Sequence, residues 1–73
     1  MKAYTVILLN PEGYQEDEGL CSFMSVTATS PPDAALSVQN ITARNHRGAE
    51  PSEFKLVAVY EGVIYPELQY EDL

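Results

Sequence analysis

A chain of 73 residues and 8.1 kDa has room for one small domain around one small core. Eleven acidic against four basic side chains give a formal charge of −7, which excludes unaided binding to nucleic acid or an anionic membrane, since both need a cationic face. The 45% hydrophobic content excludes wholesale disorder.

Residues 2–10 read as a first strand, with Tyr4, Val6 and Leu8 on one side and Thr5, Ile7 and Leu9 on the other. Apolar side chains on both faces mark an inner strand. Asn10-Pro11-Glu12-Gly13 signals a turn, and a polar connection is expected through Gly19. A second strand covers about residues 20–29, with Leu20, Met24, Val26 and Ala28 as its apolar face. Cys21 and Phe23 share the other face.

Ser30-Pro31-Pro32-Asp33 is a helix start. Serine accepts from the free first-turn amides, proline loses nothing at the first helical position, and Asp33 completes a capping-box pattern at the positive end of the dipole. The helix is expected to reach about Asn45 and to bury Ala34, Val38, Ile41 and Asn45, with Ala35 and Thr42 beside them and Leu36 and Ala43 on the far side. Gly48 can end it. After a loop containing Pro51, residues 54–60 alternate strictly as a third strand. Glu61-Gly62 suits a hairpin turn into a short fourth strand, Val63-Ile64-Tyr65, stopped by Pro66. The expected fold is α+β in the order β-β-α-β-β, an antiparallel sheet of three to four strands with one helix on one face. It forms a single domain over residues 1–73, with an acidic tail over about 67–73.

One cysteine, Cys21, permits neither an intramolecular disulfide nor a thiolate metal cluster, which favours a reducing interior. The apolar run around residues 6–9 is too short for a signal peptide, and no stretch approaches the roughly 20 apolar residues of a membrane span. A cytoplasmic protein is expected. The Asn40-Ile41-Thr42 glycosylation triplet has no role there.

Four carboxylates, Glu12, Glu16, Asp17 and Glu18, crowd the first connection. A hard cation takes carboxylate oxygens, but three consecutive acids lack the alternating ligands and central glycine of a calcium loop. The alternatives are a solvated acidic loop and a contact for a basic partner. The C-terminal segment repeats the theme: Tyr60, Tyr65 and Tyr70 interleave with Glu61, Glu67, Glu71 and Asp72. Single-stranded nucleic acid would require Lys or Arg between those aromatics, whereas tyrosine with carboxylate suits a basic protein surface. Arg44, His46 and Arg47 form the basic cluster. They can bind a phosphate or carboxylate, or simply complement the helix C-terminus. No nucleophile stands out for His46 to activate, and no glycine-rich phosphate loop, metalloprotease or hydrolase motif occurs.

The opening Tyr4-Thr5-Val6-Ile7-Leu8, followed by a second strand and a short alanine-containing helix, resembles the partly degraded hydrolase-like fold of HicB-type antitoxins over residues 2–45. The Pro-Gly-Cys segment of that family after its second strand is absent, since Ser30-Pro31-Pro32 leads straight into the helix, and no DNA-binding extension is expected. The resemblance implies an antitoxin-like protein as one alternative. The favoured expectation is a non-catalytic module, without cofactor or metal, that binds a protein with a basic surface. A pointed form is a decoy, its carboxylates imitating phosphates in another protein's nucleic-acid groove, as small acidic phage or mobile-element inhibitors do. The other alternative is an anion-binding or enzyme subunit built on Arg44, His46 and Arg47. A sheet edge can also pair across a two-fold axis, so a homodimer is an expectation too.

Overall fold

The computed structural model describes residues 1–46 and 48–63. The chain runs β1 (Lys2–Leu9), α1 (Glu12–Glu18), β2 (Cys21–Ala28), α2 (Pro31–Arg44), a single 3-10 turn (Pro51–Glu53) and β3 (Lys55–Glu61). The three strands form one antiparallel sheet in the order β2-β1-β3. The α+β class and the inner position of β1 agree with the sequence. The expected β-β-α-β-β order does not, because a second helix occupies the first connection.

Tyr4, Val6 and Leu8 are buried beneath α2 with Ala28, Ala34, Val38, Ala43 and Phe54. Small alanines on α2 let its backbone approach the sheet closely, so the core is thin and its largest fully buried side chain is Phe54. Gln39 Nε2 donates to the Phe54 carbonyl at 2.8 Å, fixing the helix over the entry to β3.

Ser30 caps α2 as expected, its hydroxyl accepting from the Asp33 N–H at 3.3 Å. The Asp33 carboxylate does not complete a capping box; it accepts from the Thr29 hydroxyl at 2.6 Å. A reciprocal box forms instead across the 3-10 turn, between Glu50 and Glu53. Ala43, expected on the far side of α2, is buried, because Ala49 and the 3-10 turn close over the last helical turn. Ile41 is only half-buried.

Two further expectations fail at the ends of strands. Leu20 lies outside β2 and is 61% exposed, since the strand begins one residue later. Phe54 precedes β3 rather than opening it, and the alternation of β3 breaks at Val57. There the register against β1 shifts, with Ile7 opposite Ala58 but Leu8 opposite Leu56. Such a bulge lets two consecutive residues of one strand face one of its partner. Val63 follows β3 outside any strand, and the rest of the expected fourth strand, residues 64–65, lies outside the described residues.

The sheet face opposite α2 carries no second layer among the described residues. Cross-strand neighbours there run Cys21–Leu9–Lys55, Phe23–Ile7–Ala58 and Ser25–Thr5–Tyr60. Phe23 and Tyr60 remain about half exposed. Thr5 is buried among them and satisfied: its hydroxyl donates to the Gly62 carbonyl at 2.8 Å and lies 2.9 Å from the Ser25 hydroxyl.

Candidate functional site

The acidic connection is a helix, not a loop. Pro11 presets an extended entry at φ −60° and ψ 150°, Glu12 faces the positive end of the first turn, and Gly19 at φ +89° stops the helix. A proline followed by an acid and closed by glycine is a helix signature in sequence. It escapes a search for apolar periodicity because Tyr14 is the only large apolar side chain in the segment.

A seven-residue helix is marginal in water by itself, and two brackets hold α1 in place. The first is Asn10, which is buried. Its N–H donates to the Leu20 carbonyl at 2.9 Å and its side-chain amide to the Gly19 carbonyl at 2.9 Å. Its amide oxygen accepts from the Ser22 hydroxyl at 2.6 Å, and its carbonyl accepts from Gln15 Nε2 at 2.7 Å. Every polar group of Asn10 therefore ties one end of α1 to the other or to β2. The sequence suggests only a turn residue at this position; its bracketing role depends on Gly19 and Ser22 returning to it.

The second bracket is His46. Its Nδ1 lies 2.7 Å from the Thr42 carbonyl and its Nε2 lies 2.5 Å from the Glu18 carboxylate. Both partners are acceptors, so the doubly protonated ring satisfies both bonds at once. The ring packs against both Tyr14 and Phe54, with centroids 4.9 Å and 5.3 Å away, and Tyr14 stacks on Phe54 at 6.2 Å. The pKa of His46 is raised above 6.5, first by its bond to the Thr42 carbonyl and then by Glu18, with burial opposing both. This aromatic cluster joins α1, the end of α2 and the entry to β3.

Glu12, Glu16 and Asp17 stand exposed on α1 with no hydrogen bond or ion pair to any described residue, while Glu18 is engaged by His46. The four carboxylates therefore divide into three open and one structural. No group of three or more His, Cys, Asp or Glu among the described residues is arranged to hold a metal.

The basic cluster is not brought together around one point. Arg44 is exposed at the end of α2 and borders a shallow depression with Asn40, Ala43, Ala49 and Pro51. His46 turns both nitrogens to acceptors within the chain, leaving neither for an anion. Arg47 lies outside the described residues. On β3, Tyr60 projects from the open sheet face and Glu61 pairs with Lys2 at 3.5 Å. Tyr65, Glu67, Tyr70, Glu71 and Asp72 also lie outside the described residues.

No helix among the described residues is long and apolar enough to cross a membrane. Comparison with family models, curated proteins and solved structures finds no match.

Proposed function

We propose that this chain is a small, non-catalytic, cytoplasmic binding module whose partner is a protein with a basic surface. The observation that supports this reading is the exposure of Glu12, Glu16 and Asp17 on one anchored helix. They project from a helix anchored through Asn10 and His46, and none has a cationic partner among the described residues. Glu12 and Glu16 are four residues apart and share one helix face. The anchored helix backbone loses little freedom on binding, and its row of carboxylates attracts Lys and Arg over a distance of order 10 Å at about 0.1 M salt. Such a row can occupy a groove that otherwise receives phosphates, which is the inhibitor form of the same proposal. Tyr60 and Glu61, with Tyr65, Glu67, Tyr70, Glu71 and Asp72, extend the proposed contact.

The test compares the wild-type chain with the Glu12→Gln/Glu16→Gln/Asp17→Asn variant. Proteins retained by wild type from its native host are identified by mass spectrometry, and the affinity for the purified partner is measured against salt. The expected partner carries a basic surface, and neutralising the row weakens it about tenfold, equivalent to 1.4 kcal/mol, with a flatter salt dependence. Equal affinity and an equal salt slope for both chains would remove α1 from the interface.

A further inference from the structure

We propose that β2 is a self-pairing edge, through which two copies of this chain join antiparallel strands about a two-fold axis. Among the described residues the strand lies outermost in the sheet, and the direction of its backbone groups follows from the ladder. The Asn10 N–H donates to the Leu20 carbonyl, so those two residues form a hydrogen-bonded pair in line with the β1–β2 register. In an antiparallel ladder such pairs alternate with non-bonded ones. Ser22, Met24, Val26 and Ala28 therefore face β1 with their N–H and C=O groups. Those of Cys21, Phe23, Ser25 and Thr27 point away from the sheet. The opposite side of β1 agrees: the Gly62 N–H donates to Ala3, which assigns the odd residues of β1 to β3. No described residue accepts from or donates to the outward backbone groups of β2.

Edge strands in monomeric proteins usually carry a charge, a proline or a bulge that blocks pairing. The other edge has such devices: β3 holds Lys55 and Glu61 at its ends and the irregularity at Val57. β2 has none. Its eight residues, Cys-Ser-Phe-Met-Ser-Val-Thr-Ala, contain neither charge nor proline, and its register with β1 is unbroken.

Charge selects the occupant. Two copies of a chain at −7 repel each other over most of their surfaces, but no charged residue stands between Glu18 and Asp33. The whole of β2 lies in that neutral run, so pairing it with itself sets no charged side chain of one strand against the other. Antiparallel pairing of a strand with itself is also self-complementary, as a two-fold contact requires. With the axis at Met24, Cys21 faces Thr27 and Phe23 faces Ser25 of the second copy, which satisfies the outward groups of both strands. The edge includes none of the α1 carboxylates, and this inference does not rest on the function proposed above.

Sedimentation equilibrium of the full chain tests it. Backbone pairing along one short strand makes a weak dimer, so the measurement is made at about 1 mM, where even a ~100 μM Kd approaches saturation. The expected mass is twice 8.1 kDa, falling to the monomer on dilution. Phe23→Pro and Thr27→Pro each remove an outward N–H while leaving the β1 ladder intact; both are expected to halve the mass and keep the wild-type amide dispersion in NMR spectra. Glu61→Pro, on the opposite edge, is expected to leave the dimer in place. If proline unfolds the chain, Phe23→Glu decides, because pairing about Met24 would bring two carboxylates to roughly the 7–8 Å of diagonal neighbours and abolish the dimer. A wild-type chain at 8.1 kDa throughout would overturn the proposal, as would a folded edge variant of β2 that dimerises like wild type.

Discussion

His46 acts as a clasp because its two nitrogens reach acceptors on different elements, the Thr42 carbonyl at the end of α2 and the Glu18 carboxylate at the end of α1. The groups facing it are Glu18 and Tyr14 from α1 and Phe54 ahead of β3. Only Glu18 among these is a carboxylate, and the histidine side chain is just 11% exposed. Its pKa in the fold lies above 6.5, the backbone bond contributing most and Glu18 next. A raised folded pKa means that the native state binds the proton more tightly than the unfolded chain. The resulting stability is fully present below the unfolded pKa of about 6.5 and is lost as pH rises through the folded value. Glu18→Gln is expected to move the NMR titration midpoint of the His46 ring down toward 6.5. In urea denaturation, the advantage of wild type over Glu18→Gln is expected to be larger near pH 5.5 than near pH 9. An unchanged midpoint would mean that the Glu18 contact is not maintained in solution.

At the scale of elements, the two helices are held by different means. α2 has fourteen residues, a serine cap and two prolines in its first turn, all local features that sequence displays. Ser30→Ala is expected to cost about 0.5–1 kcal/mol in denaturant unfolding, the lower part of the range for caps because the bond is long and exposed. A loss above about 2 kcal/mol would show that Ser30 does more than cap. The strands and α2 were legible in the sequence because their side chains alternate or recur with the period of the element. α1 was not, since its anchors come from outside it: Asn10 and Ser22 on one side, His46 and Phe54 on the other. The same limit applies to the site. The acidic row was visible as composition, but the withdrawal of Glu18 from it depends on a histidine 28 residues away. The burial of Ala43 was equally hidden, because Ala49 covers it only after the chain has turned back.

Across the whole molecule, charge works against folding. Lys2 and His46 are engaged by Glu61 and Glu18, while Glu12, Glu16 and Asp17 lie close together on one short helix without a described cation beside them. Like charges four residues apart on a helix destabilise it by roughly 0.2–0.5 kcal/mol, and the net −7 adds a longer-range repulsion. Salt shortens the reach of these fields to about 3 Å at 1 M, from roughly 30 Å at 0.01 M. Stability is therefore expected to rise with sodium chloride between those limits. The rise should be about 1 kcal/mol, which for a domain this small moves Tm by roughly 4–8 °C. The Glu12→Gln/Glu16→Gln/Asp17→Asn variant is expected to start higher at low salt and gain less. A fall in wild-type Tm with salt would mean that attractive pairs outweigh the repulsion, and an equal gain in both chains would place the strain elsewhere than α1. If the expected pattern holds, the acidic row is a cost to the isolated fold that a basic partner relieves. Binding would then raise Tm most at low salt, where the unpartnered carboxylates repel most strongly.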